Sequence, residues 1–321
     1  MIFSREIFDI DAMAEEDGDG IGGDYLPLDN RAFWARWTLV NLPGSVLRFT
    51  RKDVASVHKI RTPRDKWLFI IPLWMTGRVR WDGCTVSPDS QIVCPPSSEG
   101  LVVHAGASEF AIVSVAAPDG VELVDAIRGK LATVLRASVI RPPAKDARAL
   151  AASLIEVRAT LWRLSDTLTG DSLREIGGLL HGALECCLRR AAIGEPKEDF
   201  RSPSSIVRRT EEFVREHLDE TVSISELSMV AGVSERSLRT AFHQVCMTSP
   251  KKYLRMLALH QVRRSLRTAP DVHAAVTRAA TRHGFYELGR FAAQYRALFG
   301  EAPSETLHRA RLEQVVANPL P

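Results

Sequence analysis

The sequence predicts a multi-domain α+β protein, in which a strand-rich N-terminal part and a helical hairpin precede an all-α C-terminal part. Short alternating apolar runs separated by turn residues, such as residues 66–81, predict strands between about residues 34 and 117. From residue 144 onward, apolar residues recur at helical spacing. The polar segment GEPKEDFRSPSS, at 194–205, contains two prolines and predicts a linker between the two parts.

These patterns divide the sequence into four segments. Residues 1–30 are polar and rich in Gly and Asp, and we expect them to be a mobile N-terminal segment. Residues 31–193 form the strand-rich domain, whose many short strands at regular turn spacing indicate a sandwich or a small barrel. Residues 194–205 are the linker, and residues 206–312 form the helical domain.

Composition limits the class of protein. The 321 residues are 45% hydrophobic and 25% charged, which is typical of a globular protein with a real core. No apolar run is long enough to span a membrane, and the acidic N-terminus does not resemble a signal peptide. The five cysteines form no CxxC pair, which indicates reduced thiols and a cytoplasmic location.

The helical hairpin covers residues 144–192 and has two interpretations. Its apolar stripes either cover the sheet of the same chain or also pair with a second copy. The second interpretation predicts a homodimer that forms through residues 144–192.

Candidate ligand-binding residues lie on the predicted strands and loops of the N-terminal domain. Aromatic residues on strands line the mouths of barrels in some proteins, although such residues are also common in plain cores. The basic cluster in IRTPRDKW can hold a carboxylate or phosphate, or it can belong to a solvated loop. The candidates are Arg61, Arg64, Trp67, Phe69, Trp74 and Trp81.

No motif for catalysis or cofactor binding is present in the sequence. His58, His104 and His181 are isolated from one another, and no HxH pair occurs, so we expect no metal site. The sequence also lacks a GxSxG motif, a P-loop and a dinucleotide fingerprint. We therefore expect no cofactor and no enzymatic activity.

The charge is unevenly divided between the two parts. Residues 201–321 contain 18 Lys and Arg against 12 Asp and Glu, whereas residues 1–200 contain 24 against 27. The basic C-terminal part is therefore the candidate partner of a polyanion such as DNA.

Residues 224–242, ISELSMVAGVSERSLRTAF, have the pattern of a helix-turn-helix unit. A small residue, Ala231, precedes Gly232 at the turn, and Ser234 can cap the second helix. Leu238 and Phe242 return to the core at i, i+4 spacing. The opposite face of this helix carries polar and basic residues that suit guanine edges or phosphates. The DNA-contacting candidates here are Ser234, Arg236, Ser237, Arg239, Thr240 and His243.

A second unit follows about 50 residues later, at residues 276–300, with Gly284 at the turn. The residues between the units predict one connecting helix after Pro250, with Lys251 and Lys252 at its start. Two units on a stiff helix suit successive major-groove segments about 34 Å apart. The further DNA-contacting candidates are Lys251, Lys252, Gly289, Arg290, Ala293 and Arg296.

These residues resemble the DNA-binding domain of AraC/XylS-family transcription regulators. The matching stretches are LSMVAGVSERSLRTAF, TSPKKYL, HGFYELGRF and YRALFGEAPSE, within about residues 206–309. The sequence departs from the family at Met247, where Gly is usual, and at Gly289, where Ser or Thr is usual.

The resemblance implies a cupin-like β-barrel for the N-terminal domain, with a small-molecule effector inside and dimerising helices after it. It also implies base-reading positions at Arg236, Arg239 and Thr240 in the first unit. In the second unit the corresponding positions are nearly all apolar, namely Leu288, Gly289, Ala292 and Ala293.

The sequence thus predicts a DNA-binding transcription regulator, an activator under the control of a small-molecule effector. Its expected partners are double-stranded promoter or operator DNA, the effector, a second copy and, as an activator, RNA polymerase. Two alternatives remain. The N-terminal domain can serve only for dimerisation or protein binding, or it can be a cupin-type enzyme, against which the missing metal ligands argue.

Overall fold

A computed structural model describes residues 2–8, 21–28, 33–117, 138–164, 168–193, 201–217, 222–269 and 275–317. The chain divides into two compact units. The first, called the sheet domain here, comprises Met1–Tyr25 and Phe33–Lys197. The second, called the helical domain, comprises Leu26–Ala32 and Glu198–Pro321.

The strands of the sheet domain are short and alternate with turns, as the sequence predicts. Their bounds are β1 Ile2–Ile7, β2 Gly22–Pro27, β3 Ala35–Leu42, β4 Ser45–Lys52, β5 Ser56–Arg61, β6 Lys66–Met75, β7 Val79–Trp81, β8 Cys84–Val86, β9 Gln91–Cys94, β10 Glu99–His104, β11 Ser108–Ala116, β12 Ser138–Arg141 and β13 Ala192–Ile193.

The described strands form two separate sheets. One has the order β1-β3-β4-β11-β6-β9-β12-β13, and the other has the order β2-β5-β10-β7-β8. Neighbouring strands such as β4 and β11, or β5 and β10, are antiparallel. The two sheets do not close into a single barrel, so the cupin-like barrel remains a prediction.

Strand β6 shows how the two faces of the larger sheet are used. Leu68 and Ile70 pack in a core between the sheets, together with residues of β7, β9 and β10. Phe69 and Ile71 point the other way and pack against the helices that cover this sheet. The alternation follows from the two-residue period of a strand, and both faces are apolar because both are covered.

The N-terminal segment requires a correction in its described residues. Residues 1–30 are predicted to be mobile, but Ile2–Ile7 forms β1, which pairs with β3 along its whole length. Strand β2 lies at one edge of the smaller sheet. Backbone hydrogen bonds to a neighbouring strand order these segments, and each also buries an apolar side chain, Ile7 in β1 and Leu26 in β2. Residues 9–20 lie outside the described part of the chain.

The hairpin of the sheet domain consists of α1 Ala144–Arg163 and α2 Gly170–Arg190. Leu150, Leu154, Leu180, Leu184 and Leu188 are buried in the core that these helices share with the larger sheet. The hairpin thus covers the sheet, as one of its two interpretations requires.

The helical domain contains α3 Pro203–Glu216, α4 Ile224–Ala231, α5 Glu235–Cys246, α6 Pro250–Arg267, α7 Ala275–Arg282, α8 Leu288–Phe299 and α9 Pro303–Ala317. Helix α3 begins at Pro203, inside the predicted linker, because Ser202 caps it by accepting a hydrogen bond from the Ser205 N–H at 3.2 Å. None of the helices in the described ranges has the length and apolar character that crossing a bilayer demands.

Candidate nucleic-acid interface and interior cavity

Helices α4 and α5, called the first helix pair, are fixed by a small apolar contact. Leu227 and Ala231 on α4 are fully buried, as are Leu238 and Phe242 on α5 to within 1%. A residue as small as Ala231 at the contact lets the two helices approach closely. The pair packs against α3, which belongs to the same domain.

Local hydrogen bonds define the ends of both helices. The Ser223 hydroxyl accepts from the Glu226 N–H at 3.2 Å, and the Glu226 carboxylate accepts from the Ser223 N–H at 2.7 Å, which makes a complete capping box on α4. Ser234 caps α5 by accepting from the Ser237 N–H at 3.2 Å. These caps set the start of each helix and therefore which residues of α5 face outward.

The turn between the two helices depends on Gly232. Its φ of 64° lies in the left-handed region, which glycine adopts without steric cost. The Arg209 guanidinium donates to the Ala231 carbonyl at 2.7 Å, so α3 also holds the end of α4. The turn, cap and core that the sequence predicts for this segment are all present.

The outward face of α5 is polar and basic. Arg236, Arg239, Thr240 and His243 are exposed, as are the capping residues Ser234 and Ser237. The Thr240 hydroxyl donates to the Arg236 carbonyl at 3.0 Å. Arg239 pairs with Glu235 at 2.7 Å, whereas the guanidinium of Arg236 has no partner among the described residues. The face therefore presents two guanidinium groups on one exposed helix surface.

Helices α7 and α8, called the second helix pair, repeat this plan. Ala280 is fully buried at the contact, and Gly284 takes a φ of 80° at the turn. Phe285, Phe291 and Tyr295 form the core with residues of α6. Glu287 precedes α8 but makes no side-chain cap, so the start of α8 lacks the hydroxyl cap that α5 has.

The outward face of α8 is less polar than that of α5. Gly289, Arg290, Ala293 and Arg296 are exposed, and Ala292 is half-buried. Arg290 lies 3.9 Å from Glu287, at the limit of an ion pair. Next to this face, Tyr286 and Leu288 are exposed. Hydrogen-bonding side chains are thus sparse where the resemblance implies base reading.

Helix α6 connects the two pairs. Its 18 residues span about 27 Å at a rise of roughly 1.5 Å per residue. At its N-terminal half Tyr253 packs edge-on against Phe242, while Leu259, Val262 and Leu266 belong to the core of the second pair. Lys251 and Lys252 are exposed in its first turn. One continuous helix therefore carries both pairs.

A buried hydrogen bond ties α6 to α3. The Tyr253 hydroxyl donates to the Glu211 carboxylate at 2.6 Å, and Arg215 lies 3.5 Å from the same oxygen. Burial, with the negative charge of Glu211, raises the pKa of Tyr253 well above its ordinary value. The phenol therefore stays protonated and keeps donating at any physiological pH.

Met247 occupies the position at which the resemblance implies Gly. It terminates α5 with a φ of 53°, which is the left-handed conformation that glycine adopts most easily. The position thus keeps the backbone geometry that its usual Gly serves.

The predicted ligand-binding residues of the sheet domain do not lie together. Arg61 is exposed on β5, 3.6 Å from Glu99, and Arg64 is exposed in the following turn. Trp67 and Phe69 pack against the hairpin, and Trp74 is exposed beside Arg51. Among the six candidates, Trp81 is the residue that contacts the interior cavity described next.

A cavity of about 50 Å³ lies between the two sheets. Strands of both sheets contribute to its wall, which consists of Ile21, Tyr25, Arg48, Thr50, Lys52, His58, Ile60, Ile70, Trp81, Ile92, Val102, His104, Phe110 and Ile112. Its basic residues are not among the candidates that the sequence indicates. The alternation in β4 could have indicated them, because Arg48, Thr50 and Lys52 alternate with Leu47 and Phe49. A polar strand face of this kind, however, usually predicts exposure to solvent.

His58 and His104 are separated in the sequence but adjacent in the fold. Their rings stack with centroids 5.0 Å apart, and Tyr25 stacks on the other side of His58 at 4.6 Å. Within the described residues, no group of three or more His, Cys, Asp or Glu side chains is arranged to hold a metal ion.

Comparisons with known proteins find one matching family and several similar proteins. The family described as "Helix-turn-helix domain" matches residues 227–309. XylDLEGF operon transcriptional activator 1 of Pseudomonas putida is 36% identical over 117 residues, which cover 36% of this chain and 35% of that protein. XylDLEGF operon transcriptional activator 2 of the same organism is 35% identical over 111 residues, which cover 35% of this chain and 71% of that protein.

A solved structure of a probable AraC family transcriptional regulator from Rhodopseudomonas palustris is 35% identical, with a TM-score of 0.30. That match covers 33% of this chain and 97% of the other. The matched region spans about a third of the length of the first curated relative.

Proposed function

The chain belongs to the AraC/XylS family of transcription regulators, and from this premise we propose that it activates transcription at specific promoters in response to a small-molecule effector. In this proposal the two helix pairs are helix-turn-helix units that bind double-stranded DNA. The sheet domain is a cupin-like effector-binding and dimerisation domain.

The observation that carries the proposal is the exposed basic face of α5. Arg236 and Arg239 project from a helix whose opposite side is anchored by the buried Leu238 and Phe242. A short helix with a rigid inner face and a basic outer face suits the major groove, where an arginine can donate two hydrogen bonds to guanine.

The second unit has a different role in this proposal. Arg290 and Arg296 contact phosphates, while the small residues Gly289 and Ala293 allow close approach to thymine methyl groups. Lys251 and Lys252 add phosphate contacts at the start of α6. The first unit thus reads sequence, and the second positions the protein on the duplex.

Selection of bound fragments from the native genome tests DNA recognition. Purified full-length protein is mixed with sheared genomic DNA at moderate salt, and the bound fragments are sequenced. We expect a small set of promoter regions that share a motif, and we expect Arg236→Ala with Arg239→Ala to lose it. Equal recovery of all fragments by the unaltered protein contradicts the proposal.

The activator assignment is supported by the names of the Pseudomonas putida relatives, which are transcriptional activators of the XylDLEGF operon. An activator bound at a promoter contacts RNA polymerase, which we include among the proposed partners. Transcription from a selected promoter in vitro tests this role. Purified polymerase should produce more transcript when the protein and its effector are both present, and a decrease would indicate a repressor.

Dimerisation through residues 144–192 is supported by apolar side chains that the hairpin leaves exposed. These are Ile155, Trp162, Leu164 and Leu179, of which Leu179 is 70% exposed. Sedimentation analysis tests the proposal: the unaltered protein should be a dimer, and Leu179→Glu should shift it to monomer. A matched change outside the hairpin, Leu312→Glu, should leave the dimer intact, since Leu312 is also an exposed leucine.

A further inference from the structure

The cavity between the sheets has several buried basic residues in a wall that is otherwise mainly apolar. The basic residues are Arg48, Lys52, His58 and His104, each at most 4% exposed. Ile60, Ile70, Ile92, Val102 and Ile112 supply most of the apolar wall. None of the described wall residues is acidic.

Lys52 contacts several polar and aromatic groups at this wall. Its Nζ donates to the Ser56 hydroxyl at 3.1 Å and lies 3.1 Å from Nδ1 of His58. The Tyr25 ring centroid is 5.5 Å from the same nitrogen. All three partners are neutral groups, so among the described residues no carboxylate compensates this buried amine.

A buried ammonium without a counter-ion is costly. Burial accordingly lowers the pKa of Lys52 well below its ordinary value. Burial, together with the charge of Lys52, likewise lowers the pKa of His58, and the pKa of His104 falls for the same reasons and through His58. An anion that enters the cavity would remove this cost, because it favours the charged form of the amine.

Trp81 gives a second, independent indication of a missing polar partner. Its indole Nε1–H is buried and donates to no acceptor in the described part of the chain. Gly100 leaves room for the ring, since a Cβ at this position would overlap the indole. A buried donor without an acceptor is uncommon in native folds and often marks a ligand or water position.

We propose that this cavity is the effector site and that it takes a small molecule with one carboxylate and an apolar body, which Lys52 binds through its ammonium group. The proposal rests on the effector control proposed above and names the ligand class for it. Nδ1 of His58 accepts a hydrogen bond from the Lys52 ammonium and so positions it, and the Tyr25 ring stacks on His58. The apolar wall receives the hydrocarbon part of the ligand.

The size of the cavity limits the ligand. A cavity of about 50 Å³ admits only a small ligand. A compact acid with one short chain or one ring is therefore favoured over a sugar, whose several hydroxyls would find few partners on the isoleucine-rich wall.

Thermal unfolding of the full-length protein tests the proposal with matched acids and amides. The acids are butanoate, hexanoate, cyclohexanecarboxylate and phenylacetate, and each is compared with its uncharged amide. A ligand that binds the folded state raises the midpoint. We expect at least one acid to raise it by several degrees and its amide to have no effect.

Lys52→Met removes the charge but keeps the length of the side chain. We expect this variant to fold with an unchanged or higher midpoint without ligand and to lose the response to the acid. Lys145→Met is the matched control, because Lys145 is exposed on α1, away from the cavity wall, and this variant should keep the full response.

Three outcomes overturn the inference: no acid stabilises the unaltered protein, acid and amide stabilise it equally, or Lys52→Met retains the response. The comparison of acid with amide uses the unaltered protein, so it tests the inference even if a variant fails to fold. Selection of genomic fragments is run in parallel. Specific DNA binding without any acid response overturns this inference alone, whereas unspecific binding contradicts the proposed function.

Discussion

The guanidinium of Arg239 lies 2.7 Å from the carboxylate of Glu235, one helical turn earlier on α5, and both side chains are largely exposed. An exposed pair of this kind contributes about 0–1 kcal/mol to stability. The free energy needed to break the pair is therefore small compared with the gain from a bidentate contact to guanine, which contributes about 1–3 kcal/mol to discrimination between bases. The pair holds Arg239 on the outer face of α5 without preventing it from binding DNA.

We expect Arg239→Ala to weaken binding to the selected operator by about 1–3 kcal/mol and to relax specificity at one base pair. Fluorescence anisotropy with the operator and with single-base variants of it measures both effects. Arg208→Ala is the matched control, because Arg208 is an exposed arginine with a glutamate four residues later, Glu212 at 3.9 Å, but lies on α3. Equal losses in the two variants would contradict a base-reading role for Arg239.

Arg290→Ala should behave differently from Arg239→Ala. If Arg290 contacts phosphate, its removal weakens binding to all sequences to a similar degree and lowers the slope of log affinity against log salt by about 1. Titrations at several salt concentrations, with operator and unrelated DNA, measure this slope. A larger loss of sequence discrimination for Arg290→Ala than for Arg239→Ala would reverse the roles assigned to the two units.

The helix pairs were predictable because their signals are local. Gly232 at the turn, Ser234 at the cap and Leu238 in the core lie within seven residues of one another, and each has one structural requirement. The same reasoning covers Met247, whose left-handed backbone follows from its position after α5. Local hydrogen bonds and helical periodicity determine these features without reference to the rest of the fold.

The cavity was not predictable, since it depends on which face of each strand another element covers. Trp67 and Phe69 suggested a pocket by their size, but the hairpin covers their face of β6, and Leu68 and Ile70 face the space between the sheets. Lys52 lies on a polar face of β4 that would be exposed in a one-sheet protein. Lys52 and His58 lie on consecutive strands, but only the pairing of β5 with the distant β10 brings His104 to them.

Gly289→Ala should stabilise the helical domain. Gly289 is exposed within α8, and a Cβ at this position would meet nothing within 4 Å. Gly289 lies in the first turn of α8, so replacing it by Ala should contribute less than the roughly 1 kcal/mol of an interior position. Urea unfolding of the full-length protein should show a higher midpoint for the transition of this domain. Gly178→Ala on α2, where a Cβ also has open space, should act on the transition of the sheet domain instead.

The buried histidines predict that the sheet domain loses stability on mild acidification. Burial, together with the charges of Lys52 and His58, holds the pKa of His104 well below its ordinary 6.5. Burial and the charge of Lys52 lower the pKa of His58 in the same way. Above about pH 6.5 both histidines are neutral in the folded and unfolded states, and their contribution is fully present. As the pH falls below that value the unfolded chain binds protons that the folded chain excludes, so the free energy of unfolding decreases.

The groups that face His104 are Lys52 on β4, His58 on β5, and Ser108 and Phe110 on β11. His104→Gln keeps a hydrogen-bonding group for Ser108 but cannot take up a proton. Urea unfolding between about pH 7.5 and about pH 5.5 should show a slope reduced by up to about 1.4 kcal/mol per pH unit. His308→Gln, at an exposed position on α9, is the matched control. A slope that stays the same in His104→Gln would mean that this imidazole is protonated inside the fold, in conflict with its burial.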